Sequence, residues 1–360
     1  MQKPPAAIPI SQIKGRGSAT RLAHSFERDA REPFDDGWTV DPEEATRIAT
    51  TWTWEDAKSA ISRNTSPDIG FDRSINPYRG CEHGCSYCYA RPSHSYLGLS
   101  PGLDFETRLI AKRGLADRLL QELASPRYTP GMMALGTVTD AYQPLDRELR
   151  LTREVLQVLH DCHHPMAVVT KGSGIERDID LLAPMAARRQ AGVYVSVTTL
   201  DVELARRMEP RAAAPWRRLR TIRTLVDAGI PVGVSVSPQI PFINDDMEQV
   251  LEAARDAGAT SAFYVVLRLP WELAPLFRQW LDLHYPDRAA RVMARMHDLR
   301  GGKDYDASFA TRRSGQGIWA DLIAQRFDKA CRRLGLNRQR HDWNVDGFRP
   351  PSAVGQMGLF

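Results

Sequence analysis

Apolar and polar residues alternate along the chain in a pattern that predicts repeated pairs of a strand and a helix. Short apolar runs, mostly rich in β-branched residues, recur every 27 to 39 residues and have the length of buried strands. Between them the apolar positions follow helical spacing, as at Leu151, Val155 and Leu159. The strand-like runs occupy residues 132–138, 166–170, 193–199, 232–237 and 262–267.

This alternation is typical of an α/β protein with a parallel sheet and right-handed crossovers. A further strand just before Cys81 brings the count to about six β/α units, fewer than the eight of a closed barrel. The predicted fold is therefore a partial (β/α)6 TIM-like barrel. Three segments are expected: a partly irregular N-terminal arm over residues 1–70, a core barrel over 71–285 and a helical C-terminal extension over 286–360.

The two faces of the predicted strands differ in polarity. In residues 193–199 the valines share one face, whereas Ser196 and Thr198 share the other. We expect the valines to meet the outer helices and the hydroxyl face to line a polar lumen. Polar residues also follow the strands at their carboxyl ends, where the active sites of parallel β/α barrels lie. These residues are Thr139, Asp140, Thr170, Lys171, Thr198, Thr199, Gln239 and Arg268.

Net charge and hydropathy say little about the binding partners of the protein but bear on its relation to membranes. The 360 residues carry a net charge of +4, and arginines gather over residues 206–223 and 326–340. Arginines at helical spacing usually form a solvated face, although a phosphate-bearing substrate or a nucleic acid would also suit them. The chain has no run of eighteen apolar residues, and its first residues do not fit a signal peptide. We therefore expect a soluble, cytoplasmic protein that does not associate with membranes.

The cysteines indicate the chemistry. Cys81, Cys85 and Cys88, three of the five cysteines, fall within the stretch GCEHGCSYCYAR. In a reducing compartment such a cluster indicates metal ligands or catalytic thiols rather than disulfides. Cys162 and Cys331 stand alone on predicted helices, where we expect them to be buried apolar residues.

Thiol chemistry alone leaves two metal centres open. Three thiolates can hold a 4Fe-4S cube and leave one iron free for another ligand. Alternatively, His83 or His94 could complete a tetrahedral zinc site, which would make the chain a zinc-stabilised nucleic-acid-binding protein without radical chemistry. Gly80 and Gly84 would allow the backbone to wrap closely around either centre.

The cysteine loop resembles a known family signature. A three-cysteine loop after a first strand, with an aromatic residue before the last cysteine, is similar to the signature of the radical SAM superfamily. The stretches GCEHGCSYCYA, GTVTDAYQP, VVTKG and SVTTL most resemble its spore photoproduct lyase-like branch, many of whose members are uncharacterised. The resemblance spans residues 74–285, and the family's partial barrel of about six β/α units agrees with the predicted strand count.

The resemblance implies a mechanism. Cys81, Cys85 and Cys88 would bind three irons of a 4Fe-4S cluster, and the fourth iron would chelate S-adenosylmethionine (SAM). An electron from a low-potential donor such as flavodoxin or ferredoxin would then cleave SAM. The resulting 5'-deoxyadenosyl radical would abstract hydrogen from an unidentified substrate, for which nucleic acid is one candidate.

The resemblance also implies roles for further residues. Tyr89, directly after the third cluster cysteine, matches a catalytic tyrosine of spore photoproduct lyases. Those enzymes also carry a hydrogen-donating cysteine near the end of the second strand, but here no cysteine lies between Met132 and Asp146. This difference argues against turnover of a thymine lesion. The implied cofactor-binding residues are Tyr87, Thr139, Lys171, Ser196, Glu209 and Arg211.

Overall fold

The computed structural model describes residues 12–24, 26, 48–339 and 341–351. Its strands are β1 (Thr51–Asp56), β2 (Ser62–Arg63), β3 (Arg73–Ile75), β4 (Tyr78–Arg79), β5 (Arg108–Arg113), β6 (Met133–Leu135), β7 (Met166–Thr170), β8 (Ala191–Ser196), β9 (Val232–Ser235) and β10 (Ser261–Phe263). Its α-helices are α1 (Leu103–Thr107), α2 (Leu115–Leu123), α3 (Asp146–Leu149), α4 (Leu151–Asp161), α5 (Ile179–Ala187), α6 (Val202–Met208), α7 (Pro215–Asp227), α8 (Met247–Asp256), α9 (Leu273–His284), α10 (Pro286–Leu299) and α11 (Ile318–Leu334). Two 3-10 helices cover Arg91–Leu97 and Ser173–Asp178.

The main sheet confirms the predicted α/β fold class. Among the described residues, seven strands pair in the order β10-β9-β8-β7-β6-β3-β2. Every neighbouring pair from β10 to β3 is parallel, and β2 lies antiparallel to β3 at one edge. The six parallel strands match the predicted number of β/α units, and helices connect the strands from β6 to β10. β7 coincides with the predicted run over residues 166–170, whereas β6, β8, β9 and β10 end two to four residues before their runs do.

A second, smaller sheet was not expected from the sequence. Its order is β1-β5-β4, with β1 parallel and β4 antiparallel to β5. The residues just before Cys81 thus form β4 in this small sheet, and the first parallel strand of the main sheet is β3, which ends at Ile75. The predicted arm contributes both β1 and β2, whereas residues 1–11, 25 and 27–47 lie outside the described residues.

The hydrophobic core lies between the main sheet and its helices. Val193, Val195 and Val197 are each no more than 1 % exposed and pack in this core, as the strand alternation predicts. Cys162 and Cys331 are buried in the same core. The presence of Cys331 there means that α11, in the predicted C-terminal extension, packs together with the barrel helices.

Residues 341–349 close the amino ends of the strands. The ring of Trp343 lies 3.1 Å from the position that a Cβ of Gly192 would occupy, on the same strand face as Ser196. The backbone N–H groups of Asn344 and Arg349 donate hydrogen bonds to carbonyls that precede β8 and β7. The carboxyl ends of the strands are therefore the open end of the lumen. Within the described residues, none of the helices combines the length and the hydropathy needed to cross a bilayer.

Candidate active site

The cysteine loop and the carboxyl ends of the strands enclose one cavity of about 470 Å³. This volume lies within the range of small-molecule sites. Eight of the ten predicted site residues line it: Cys81, Cys85, Tyr87, Cys88, Tyr89, Thr139, Lys171 and Ser196. Thr139, Lys171 and Ser196 come together because the carboxyl ends of neighbouring parallel strands meet at the same edge of a sheet, and the cysteine loop after β4 contributes the other five.

The cysteine loop is a series of tight turns. The N–H of Gly84 donates to the carbonyl of Cys81, and the N–H of Cys88 donates to the carbonyl of Cys85, each over 3.3 Å. Gly80 and Gly84 both have positive φ, at 77° and 65°. A Cβ at Gly80 would lie 2.8 Å from the carbonyl oxygen of Phe105, and one at Gly84 would lie 2.6 Å from a carboxylate oxygen of Glu106. The expected close wrapping at the two glycines is therefore confirmed.

A buried ion pair, which the sequence did not predict, contacts the backbone of the cysteine loop. Arg91 and Glu106 are at most 1 % exposed, and their closest charged atoms lie 2.5 Å apart. The Nε of Arg91 also donates to the carbonyl of Cys85 over 2.9 Å. Glu106 in turn accepts hydrogen bonds from the N–H groups of Gly17 and Ser18. The pair thus fastens the loop to α1 and to the N-terminal segment.

The thiols fit a metal cluster better than a nucleophile. Cys81, Cys85 and Cys88 are free cysteines. Burial raises the pKa of Cys81 well above its ordinary value and that of Cys85 to about 12. Neither thiol is thus poised to ionise unaided, whereas bound iron favours the thiolate. Three soft sulfur donors on one cavity wall suit an iron-sulfur cluster.

The described residues do not contain a ligand set for the alternative zinc site. Within the described residues, no group of three or more His, Cys, Asp or Glu side chains is arranged to hold one metal ion. In a 4Fe-4S cube each thiolate binds a different iron, so the sulfur atoms need not converge on one point. His94 contacts the carbonyl oxygen of Arg108 through Nε2 over 3.0 Å. Nδ1 of His83 lies 3.3 Å from a carboxylate oxygen of Asp140.

Asp140 links the cysteine loop to the end of β7. Besides its contact with His83, its carboxylate accepts hydrogen bonds from the Thr170 hydroxyl and the Lys171 N–H, both over 2.7 Å. Burial alone would raise the pKa of Asp140, but His83 and these hydrogen bonds outweigh it and lower the pKa. The ionised carboxylate therefore fixes the backbone from which Lys171 extends.

Lys171 is a cation that lines the cavity together with the cysteines. Its Nζ lies 5.7 Å from the centre of the Tyr87 ring. Burial alone would lower the pKa of Lys171, but Cys85 and Glu209 raise it above its ordinary value. A cationic Lys171 beside the thiols can bind a carboxylate, while the hydroxyls of Thr139 and Ser196 can serve as polar contacts for a ribose.

Glu209 and Arg211, also predicted to bind the cofactor, do not line the cavity. The Glu209 carboxylate lies behind Tyr87 and accepts hydrogen bonds from its phenol, from Thr198 and from the buried Arg218. Arg211 pairs with Glu82 over 3.0 Å and donates its backbone N–H to the carbonyl of His83. Glu209 thus holds the Tyr87 ring, and Arg211 holds the cysteine loop.

The arginine-rich stretches are largely paired within the protein. Arg217 bonds to Glu176, and Arg326 bonds to Glu248 with two hydrogen bonds. Arg218 is 1 % exposed and pairs with Glu209. These three arginines therefore stabilise contacts within the fold. The basic residues at the cavity are Lys171 and other arginines, which are described below.

Comparisons with known proteins identify the family of this chain. The model of the radical SAM superfamily matches residues 75–256, half of the chain. The uncharacterized protein Rv2578c of Mycobacterium tuberculosis is 34% identical over 238 residues, 65% of this chain and 70% of the relative. The uncharacterized protein MJ0683 of Methanocaldococcus jannaschii is 26% identical over 231 residues, 64% of this chain and 82% of the relative.

A solved structure shares the fold. It is a spore photoproduct lyase mutant with bound AdoMet and dinucleoside spore photoproduct, with a TM-score of 0.51 and 14% identity over 79% of this chain and 78% of that chain. The superfamily uses a 4Fe-4S cluster and S-adenosylmethionine, the two cofactors expected from the cysteine loop. The chain therefore belongs to the radical SAM superfamily.

Proposed function

We propose that this chain is a radical SAM enzyme in which Cys81, Cys85 and Cys88 ligate three irons of the 4Fe-4S cluster. The observation that carries the proposal is that these free thiols share one cavity with Lys171 and with the carboxyl ends of the parallel strands. When bound, the cluster and SAM would supply the radical chemistry for abstraction of hydrogen from the substrate.

The residues around the cavity bind and orient SAM in this proposal. Lys171 binds the carboxylate of SAM by charge, and Thr139 and Ser196 offer hydroxyls to its ribose. Tyr87 supplies an aromatic face beside the adenine or the cluster. Its phenol is held by the buried carboxylate of Glu209, so the ring keeps its orientation when SAM binds.

The cavity walls limit the access of water. Val169, Phe263 and Val265 give it an apolar side, and Trp343 closes the amino end of the lumen. Exclusion of water protects a reactive intermediate from side reactions. Tyr89 faces the same cavity, with its hydroxyl bonded to the carbonyl of Thr137, and we assign it hydrogen transfer to or from the substrate.

The substrate class to test first is a nucleotide or nucleic acid. The spore photoproduct lyase of similar fold was solved with a dinucleoside spore photoproduct, which supports this choice. Because no cysteine lies between Met132 and Asp146, return of hydrogen here would rely on another group, such as Tyr89. The electron would come from a low-potential donor such as flavodoxin or ferredoxin.

The test is production of 5'-deoxyadenosine. The protein is purified without air, reconstituted with iron and sulfide and mixed with SAM and a low-potential reductant. We expect the wild type to load iron and release 5'-deoxyadenosine, and the Cys85→Ala variant to do neither. Cys162→Ala is the matched control, because Cys162 is a buried core cysteine and its variant should retain both activities.

Two results would contradict the proposal. One is a Cys85→Ala variant that keeps a normal cluster and cleaves SAM. The other is a wild-type protein that holds one zinc ion per chain and leaves SAM intact, which would support the zinc-stabilised nucleic-acid-binding protein instead.

A further inference from the structure

The mouth of the cavity carries an excess of positive charge that SAM binding does not explain. Within the described residues, the cavity lining has four basic side chains, from Lys171, Arg268, Arg312 and Arg313, against the carboxylates of Asp68 and Asp140. Asp140 is already engaged by His83 and the end of β7. The three arginines lie beyond the part of the chain matched by the superfamily model, which ends at residue 256.

Arg268 is held in place by aromatic rings. Its Cζ lies 5.2 Å from the centre of the Tyr89 ring and 5.8 Å from that of Tyr305. It also donates a hydrogen bond to the Tyr305 hydroxyl over 3.2 Å. The Nε of Arg268 is buried without a hydrogen-bond partner, and no carboxylate pairs with this arginine among the described residues. Stacking therefore orients the guanidinium while leaving its charge uncompensated.

Arg312 and Arg313 come from the loop between α10 and α11. Arg312 is neutralised by Asp68, to which it donates two hydrogen bonds of 2.7 and 2.5 Å. Arg313 instead donates to the backbone carbonyl of Asp68, and no carboxylate of the described residues forms an ion pair with its guanidinium. Its backbone carbonyl accepts the N–H of Val266, two residues before Arg268 in sequence.

A buried arginine fixes this loop against the strand end. Arg300 is 1 % exposed and donates to the carbonyls of Thr311 and Arg312 on the loop, each over 3.0 Å. Its other amino group donates to the carbonyls of Val266 and Leu267 over 3.1 and 2.5 Å. The position of Arg313 relative to Arg268 is therefore built into the fold.

Two unpaired guanidinium groups at one cavity repel each other unless an anion lies between them. Burial lowers the pKa of Arg313, the nearby charge of Asp68 raises it, and the charges of Arg268 and Arg312 lower it, so the pKa lies below its ordinary value. A guanidinium pair is well suited to carboxylate and phosphate, because each group presents several donors in a plane. The same residues stack on or lie beside Tyr89, the side chain assigned to hydrogen transfer.

We propose that Arg268 and Arg313 form an oxyanion-binding subsite that holds a phosphate or carboxylate group of the substrate beside Tyr89. The identification of that ligand as the substrate rests on the proposed radical SAM function, whereas the binding of the oxyanion does not. The subsite selects substrates by an anionic group that lies beside Tyr89 in the cavity.

The test is protection of individual arginines from phenylglyoxal, read by peptide mass spectrometry on the reconstituted wild-type protein without air. Inorganic phosphate and succinate are the two probes, and sodium chloride at equal ionic strength is the control. For a probe at about ten times a dissociation constant of roughly 1 mM, labelling of Arg268 and Arg313 should slow about tenfold. Arg206, which is exposed on α6, should react at the same rate throughout.

Variants identify the residues responsible. In Arg268→Gln the protection of Arg313 should be lost, whereas in Arg206→Gln it should remain. Protection by phosphate alone indicates a phosphate group, and protection by succinate alone indicates a carboxylate. The proposal is overturned if Arg268 and Arg313 of the wild-type protein are labelled at the same rate in phosphate, succinate and chloride. This result does not depend on whether the variants fold.

A parallel assay of 5'-deoxyadenosine on unmodified wild type separates the two proposals. Radical formation without protection would overturn the oxyanion subsite and leave the proposed function standing. Protection without radical formation would support the subsite and contradict the proposed function.

Discussion

Removal of one buried charge behind the cysteine loop should destabilise the protein and its cluster together. The change is Glu106→Gln, which conserves the shape of the side chain. It removes the charge that faces Arg91 inside the protein, where the two side chains are 0 % and 1 % exposed. It also replaces two acceptor oxygens by one, so a carboxamide N–H group must face the N–H of Gly17 or that of Ser18.

The expected cost is about 3 to 5 kcal/mol, because the variant leaves a buried guanidinium without its counter-charge. Glu252→Gln is the matched control. Glu252 pairs with Arg333 over 3.5 Å, and both side chains are more than half exposed. Loss of this surface pair should cost about 0 to 1 kcal/mol. The same chemical change at the two positions thus separates burial from charge as the source of the effect.

The assay is urea unfolding of the reconstituted protein without air, together with iron content per chain. Glu106→Gln should lower the free energy of unfolding and also the iron content, because Arg91 holds the carbonyl of Cys85. Addition of Arg91→Met should recover part of the lost stability, since it removes the unpaired charge. Equal, small losses in Glu106→Gln and Glu252→Gln would refute the reasoning.

Two further predictions concern a cofactor contact and a buried histidine. Lys171→Gln should weaken SAM binding about tenfold or more, measured by equilibrium dialysis, because one charge-assisted hydrogen bond of about 1.5 to 3 kcal/mol is lost. Iron content should not change, and the control Lys329→Gln, at an exposed residue, should bind SAM as tightly as the wild type. Unchanged SAM affinity in Lys171→Gln would show that Lys171 does not contact SAM. Burial lowers the pKa of His164 to about 4, and its Nε2 lies 2.6 Å from the hydroxyl of Tyr128. His164 takes up a proton near pH 6.5 in the unfolded protein and only near pH 4 in the folded protein. The free energy of unfolding therefore rises with pH between about pH 4 and pH 6.5 because of this group. Wild type should therefore lose about 3 kcal/mol more than His164→Gln as the pH falls through it, and parallel curves for the two proteins would contradict this prediction.

Local sequence patterns determined much of the fold. The parallel strands were predictable because a strand buried on both faces must be a short apolar run, as at residues 166–170 and 193–199. The polar lumen face was predictable because side chains alternate along a strand, so Ser196 had to oppose the valines that pack against the helices. The convergence of Thr139, Lys171 and Ser196 followed from the shared direction of parallel strands.

Other features depended on contacts between residues far apart in sequence. The small sheet depends on pairing of β1 with β5. β1 is mostly exposed and has no apolar run that would mark it as a strand. Glu209 resembled a cofactor ligand in its sequence position, but only the packing of α7 brought Arg218 to its carboxylate. Such ion pairs leave little signal in sequence, because each partner alone resembles an ordinary surface charge.

The sequence by itself indicated the chemistry class, because three cysteines within eight residues can supply the thiolates of one metal centre and their loop resembles the radical SAM signature. Only the tertiary structure decided which residues stabilise the cysteine loop and which charged side chains line the cavity. Arg91 pairs with Glu106, and the backbone of Arg313 bonds to that of Val266 near Arg268, because folding brings separate segments together. The physical reason is that short-range spacing sets which atoms can share a ligand, whereas burial and charge pairing depend on the whole packed chain.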